Sequence, residues 1–253
     1  MKNKLKIRLI ELDILWENPA KNLQQLDQLL YKNTADVVVL PEMFATGFSM
    51  NPDQIAEPPF GATYQWMKKQ AEIEQCAIVG SVSTRENHHF YNRMYFVTPN
   101  AVFVYDKKHL FGYGKETEVY TAGKEIVTAE YLGWKFRLSI CYDLRFPVWL
   151  RNSDDYDVLL CPANWPKVRE EQWITLLKAR AIENMAYCIG VNRTGVDGYG
   201  LVYDGQSKVF DPIGLDLTNN QDDFSQIEIS KEALLNYREK FGFLSDRDAF
   251  NFQ

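Results

Sequence analysis

Apolar and polar positions alternate along the chain with two periods, one of two residues and one near 3.6. Across residues 6–15 charged and apolar side chains interleave, which predicts a strand. Pro19 suits the first position of a helix, and Leu23, Leu26, Leu29 and Leu30 follow it at helical spacing. Asp36-Val37-Val38-Val39-Leu40 is a short run that predicts a buried strand ending at Pro41-Glu42. Residues 62–75 read as a helix with Tyr64, Met67 and Ala71 on one face. Residues 77–83 and 91–98 read as strands around a polar turn at Asn87, and residues 101–106 as another strand. Residues 125–132 and 134–140 form a pair turning at Gly133. Beyond Cys141 the pattern predicts a short helix over 146–151, a buried strand over 157–161 and a long helix over 170–186. Trp173, Leu177 and Ile182 are among the apolar positions of that helix. Strands over 187–191, 207–210 and 224–229 and a helix over 231–240 complete the chain. Strand pairs mixed with helices imply sheets packed on each other, with helices on the outer faces.

Composition narrows this picture. The 253 residues, 46% apolar and 25% charged, suit one globular domain spanning residues 1–253. The balance of 28 basic and 34 acidic residues, a net charge of −6, carries no basic stripe and argues against a nucleic-acid partner. Residues 7–13 are broken by charges, unlike a signal peptide, and no run of ~18 apolar residues predicts a membrane span. Cys76, Cys141, Cys161 and Cys188 show no close pairing, so the expected compartment is a reducing cytoplasm. Their spacing also argues against zinc.

Three candidate reactive side chains stand at predicted strand ends: Glu42, Lys108 and Cys141. Rigid strands feeding free loops commonly carry sites. Taken singly, each has an ordinary structural reading: a solvated carboxylate, a surface lysine, an inert core thiol. Of the three histidines, His88 and His89 flank the Asn87 turn, and only His109 could serve a Cys–His pair. A role near the lysine loop is the alternative for His109.

Taken in order, longer fragments carry more. They are Pro41-Glu42-Met43-Phe44 with Gly47-Phe48, Asp106-Lys107-Lys108-His109-Leu110-Phe111, and Cys141-Tyr142-Asp143-Leu144-Arg145-Phe146-Pro147. Pro162-Ala163-Asn164-Trp165-Pro166, Ala179-Arg180-Ala181-Ile182-Glu183-Asn184, Val191-Asn192-Arg193 and Asp211-Pro212-Ile213-Gly214 follow. Together the chain resembles the nitrilase, or carbon–nitrogen hydrolase, superfamily over nearly its whole length. Met43-Phe44, Thr46-Gly47-Phe48 and the tail Asp246-Arg247-Asp248 look most like its omega-amidase branch.

The resemblance implies an α/β fold, a four-layer α-β-β-α sandwich with two mixed sheets, and a homodimer or higher homo-oligomer. It implies a Glu–Lys–Cys site at Glu42, Lys108 and Cys141, and a second glutamate, assigned to Glu116 with Glu118 competing. A carboxylate would take the thiol proton, and the lysine with the Tyr142 backbone N–H would face the oxyanion. No metal or organic cofactor is expected. Phe44, Phe48, Asn164 and Trp165 are candidate pocket walls, although aromatic residues serve cores equally. Arg169 is a candidate clamp for a substrate carboxylate, with a solvated role as the alternative. The expected reaction is hydrolysis of an omega-amide of a 2-oxo acid or dicarboxylate. A nitrilase, an N-carbamoyl amidase and a non-catalytic binding protein are the competing readings.

Overall fold

The run Val37–Val39 becomes a strand buried on both faces, and the layering follows from it. The computed structural model describes residues 2–218 and 226–252. This strand, β2, lies parallel to β1 (Lys4–Leu9) and to β3 (Ala77–Glu86). Antiparallel neighbours β4 (His89–Val97), β5 (Val102–Asp106) and β13 (Gln226–Ser230) complete a mixed six-stranded sheet in the order β13-β1-β2-β3-β4-β5. A mixed five-stranded sheet has the order β12-β9-β8-β7-β6. Its strands are β6 (Thr128–Tyr131), β7 (Trp134–Leu138), β8 (Val158–Ala163), β9 (Tyr187–Asn192) and β12 (Lys208–Phe210).

Period-two alternation sorts the side chains between layers. Ile7, Leu9, Val37, Val39, Ala77 and Val79 join Phe136, Leu138 and Ile140 in the core between the sheets. Val38, Leu40 and Ile78 point the other way. They pack with Leu26 and Leu30 of α1 (Pro19–Leu30) and Met67 and Ala71 of α3 (Ala62–Glu74). Asn18 caps α1 by accepting from the Lys21 N–H, with Pro19 at the first helical position. On the other outer face Trp173 and Leu177 of α5 (Glu170–Asn184) close against Gly190 of β9, where a Cβ would come within 2.5 Å of Leu177. A shorter α2 (Pro52–Ile55) and α6 (Lys231–Phe241) complete the α-β-β-α architecture around the two sheets.

Most expected elements form within a few residues of their expected ends. The Asn87-His88 turn takes positive φ at both residues, as a two-residue hairpin requires, and leaves His88 and His89 exposed. Four differences have physical causes. No helix forms over 146–151. Instead Cys141–Arg145 makes a 3-10 turn and Phe146, constrained by the following Pro147, leaves the helical region at φ −113°, ψ 85°. Ile182 falls off the row of Trp173, Leu177 and Ala181 and stays exposed. β1 stops at Leu9, because beyond it the pairing is reduced to a bridge from Asp13 to Thr194. A hairpin of β10 (Thr194–Val196) and β11 (Val202–Asp204) was hidden by its short, exposed strands. Of the strand expected over 224–229, Phe224 and Ser225 lie outside the described residues.

Candidate active site

At one end of the sandwich the inward-facing rows of three strands change from apolar to polar. On β3, Ala77 and Val79 give way to Ser81 and Ser83, and on β4, Phe96 and Met94 give way to Asn92. On β5 the row Phe103, Tyr105 continues into Lys107 just past the strand end. Ser83 pairs with Asn92 across the ladder, and the Lys107 N–H donates to the Asn92 carbonyl at 3.0 Å. The polar groups therefore lie side by side, with the second sheet opposite them.

Glu42 enters from the loop after β2, fully buried. Its Oε1 accepts from Lys107 Nζ at 2.8 Å and from Asn92 Nδ2 at 2.8 Å, and its Oε2 accepts from the Asn164 N–H at 2.9 Å. The Asn164 side chain closes the link by donating to the Glu42 carbonyl at 2.6 Å. Glu116, at the start of the short helix α4 (Glu116–Val119), is also fully buried. It accepts from Lys107 through both oxygens, at 3.1 and 2.9 Å, from Asn92 at 3.1 Å and from the Phe111 N–H at 2.6 Å. One fully buried ammonium thus bridges two fully buried carboxylates. Burial opposes the charge on Lys107, but Glu116 and Glu42 outweigh it and hold its pKa well above the usual lysine range. Burial raises that of Glu116, against the attraction of Lys107.

Cys141 closes the cluster from the second sheet. It stands just beyond the end of β7 at φ +46°, in the left-handed region, and its Sγ lies 3.9 Å from the Asn164 carbonyl. Burial, with Glu42 nearby, pushes the thiol well above its ordinary pKa, so it rests protonated at neutral pH. Met43, directly after Glu42, also has φ +46°, with its N–H held by Ser81 Oγ at 2.9 Å. The nucleophile turn is braced by the buried Asp143, whose Oδ2 accepts from the Ile140 N–H at 2.9 Å and from Tyr105 Oη at 2.7 Å. Asp143 Oδ1 takes the His109 N–H at 2.9 Å and meets its Nδ1 at 2.8 Å. His109 is stacked on Phe146 and directed to Asp143 rather than to Cys141.

The expected residues divide accordingly. Glu42, Glu116 and Cys141 come together, and Glu118 is exposed. Lys108 does not join them: its ammonium lies 5.3 Å over the Trp149 ring, and Lys107 occupies the cluster. Adjacent residues leaving a strand point opposite ways, and Lys107 is the one in register with inward Phe103 and Tyr105. That parity, read from β5, was the available signal. Phe44 is not a pocket wall. Its fully buried ring packs on Gly80 and Trp66 on the helix side of the first sheet. Phe48, Tyr142, Asn164, Trp165 and Arg169 do line, with Cys141, a cavity of about 600 Å³.

Residues 6–231 match the carbon-nitrogen hydrolase family. The chain belongs to that family. Among curated relatives, the omega-amidase YafV of Yersinia enterocolitica is 41% identical over 251 residues, covering 97% of this chain and 98% of that protein. The 2-oxoglutaramate amidase of Bacillus subtilis is 36% identical over 82% of this chain and 83% of that protein. The crystal structure of a CN-hydrolase superfamily protein from Xanthomonas campestris, with an arsenic adduct in its active site, superposes with a TM-score of 0.94. Its identity is 39%, with full coverage of both chains.

Two half-buried arginines of the hydrolase reach its cavity. Arg145 lies 5.0 Å over the Trp165 ring and donates to Gln172 at 2.6 Å. Arg169 lies 5.4 Å over the Phe111 ring, and its carbonyl accepts from Trp165 Nε1 at 2.8 Å. Arg145 lies within the Cys141 motif but was not assigned a role from the sequence. The hairpin β10–β11 adds Asp197 and Tyr203 to the wall, and the Tyr203 hydroxyl donates to Asp197 at 2.8 Å. Among the described residues, no helix is long and apolar enough to cross a membrane.

Proposed function

We infer that this hydrolase is an omega-amidase, releasing ammonia from omega-amides of 2-oxo acids or dicarboxylates through a cysteine thioester. The observation that carries the reading is the Cys141 thiol on the wall of an apolar cavity beside a buried Glu42–Lys107–Glu116 cluster. The omega-amidase and 2-oxoglutaramate amidase relatives support the substrate class. Because the thiol is neutral at rest, a base must act with it. Sγ attacks the amide carbon while its proton passes to Glu42. Lys107 and the Tyr142 backbone N–H stabilise the oxyanion. The C–N bond breaks as Glu42 protonates the leaving nitrogen, freeing ammonia and a thioester. Water then attacks the thioester carbon, giving a proton to Glu42. The C–S bond breaks and the thiolate takes that proton back. Each proton is assigned to a side chain of the chain itself.

Arg169, with Arg145 lining the same cavity, holds the far carboxylate of the substrate. Both arginines line the cavity, and a planar fork suits a carboxylate. Arg169→Ala is expected to raise KM more than ~10-fold for the monoamide of a dicarboxylic acid and to leave a neutral amide nearly unchanged. Equal effects on both substrates would remove Arg169 from recognition. The protein functions as a single hydrolase domain, in the cytoplasm, as a homodimer or higher homo-oligomer. The free cysteines suit a reducing compartment, and light scattering at micromolar concentration tests the oligomer. The activity is tested by ammonia release from 2-oxo acid omega-amides, dicarboxylate monoamides, nitriles and N-carbamoyl amino acids, with Cys141→Ala as control. Turnover confined to nitriles or carbamoyl compounds, or retained by Cys141→Ala, rejects the reading.

A further inference from the structure

Asn92 donates to both carboxylates of the buried cluster, pairs with Lys107 through the backbone, and was not among the residues the sequence singled out. It lies on β4, inward, fully buried, and does not line the cavity. Its carboxamide nitrogen donates to Glu42 Oε1 at 2.8 Å and to Glu116 Oε1 at 3.1 Å, and its backbone carbonyl accepts from the Lys107 N–H at 3.0 Å. Its own Oδ1 is buried with no hydrogen-bond partner among the described residues. A buried amide normally satisfies both ends. Here the amide is oriented for its two N–H groups alone.

We propose that Asn92 is the positioning residue that selects which oxygen of Glu42 acts as the base. The inference rests on the thiol chemistry of the preceding section. A carboxylate oxygen has two lone pairs in the carboxyl plane. On Glu42, Oε1 receives two donors, Lys107 and Asn92, and is saturated. Oε2 receives one, the Asn164 N–H, and keeps a lone pair. That oxygen is bound to Asn164, whose carbonyl faces the Cys141 thiol. Asn92 therefore directs Oε2 to proton transfer with Cys141. Its second N–H holds Glu116 at the other side of Lys107, so the ammonium stays bridged between them. Lys107 could not hold both carboxylates in a fixed rotation alone, because an ammonium turns freely about its stem whereas an amide presents two planar donors. The titratable groups facing Asn92 and its partners are Glu42, Glu116, Lys107, Cys141, Cys161 and Tyr120.

The test compares Asn92→Ala, which donates to neither carboxylate, with Asn92→Ser, which can donate to one. In turnover, kcat is expected to fall about 10- to 100-fold in the Ala variant and less in the Ser variant, with KM within about twofold of the parent, since Asn92 meets no substrate. A carboxylate that loses a donor binds its proton more tightly, so the acid limb of the rate profile moves to higher pH. A readout independent of turnover is alkylation of Cys141 by iodoacetamide across pH, followed by peptide mass spectrometry. The Ala variant is expected to be slower at neutral pH with its acid limb displaced upward, and Glu42→Gln sets the scale of a lost base. An alkylation profile matching the parent in both variants overturns the proposal, as does a loss confined to KM. If the parent alkylates normally but hydrolyses no amide, the omega-amidase reading fails while the positioning role is still decided. Should the Ala variant not fold, the Ser variant decides by the same criteria.

Discussion

Lys107 and Lys108 are adjacent residues just past the end of β5, and that one step separates a buried ammonium between two carboxylates from one resting on an indole. Lys107→Met removes the charge opposite both Glu42 and Glu116. It is expected to lower kcat at least ~10²-fold, the scale of a lost oxyanion donor. Lys108→Met, measured in the same steady-state assay, is expected to stay within a few-fold of the parent. The reverse ranking would return the role to Lys108. The motif around these lysines was legible in the sequence, but choosing between them was not. The choice depends on which face of β5 points inward, and on a hydrogen-bond partner, Asn92, that is 15 residues earlier in the chain. Glu116 was assigned by the family resemblance, from its place ahead of Gly123, and the structure buries it in the cluster while its competitor Glu118 stands on the exposed side of the same short helix. Phe44 was misread because a buried aromatic ring looks the same in sequence whether it lines a pocket or fills a core.

Among elements, the strands were the most readable, since runs such as Val37–Val39 are apolar on both faces and only a doubly covered sheet accommodates that. The β10–β11 hairpin was the least readable, because exposed three-residue strands carry almost no periodic signal. Packing of α5 on the second sheet depends on Gly190. A methyl group there would meet Leu177 at 2.5 Å and Trp173 at 2.6 Å, both buried in a close-packed layer. Gly190→Ala is expected to destabilise by ~1–3 kcal/mol through overpacking. At this chain length each kcal/mol corresponds to roughly 2–4 °C of Tm. A calorimetric Tm equal to the parent would show that α5 shifts at no cost. Because Asn192 at the end of β9 accepts from the Trp165 N–H at 2.8 Å, a shift of the strand also reaches the cavity wall.

For the molecule as a whole, proton uptake sets the pH range of stability. All four cysteines are buried, and burial raises each of them, Cys76 and Cys161 to about 12 from an ordinary 9.0. Cys141 and Cys188 are also well above that value, and burial raises the phenols of Tyr105 and Tyr156 from an ordinary 10.0. The unfolded chain releases these protons from about pH 9 upward while the folded chain keeps them. The folded state then binds more protons, so unfolding becomes easier as pH rises. Each fully affected thiol contributes on the order of 1.4 kcal/mol per pH unit. Lys107 works in the same direction, because its raised pKa gives stability that is present below the ordinary lysine value and is lost above it. Tm is expected to fall steeply between pH 9 and pH 11, by well over ~5 °C. A flat Tm across that interval would contradict the buried, protonated thiols.

The positive φ at Cys141 has a consequence for anyone who selects variants of this protein by endurance alone. A side chain in the left-handed region costs ~1–2 kcal/mol that glycine does not incur. Cys141→Gly is therefore expected to match or exceed Cys141→Ala in thermal stability, and both to lack turnover. A saturation library at position 141, sorted after a heat challenge, is expected to enrich glycine, the residue that ends catalysis. Heat resistance and chemistry would then favour different residues at this position, so such a screen would discard its own enzyme unless each survivor were also asked to release ammonia.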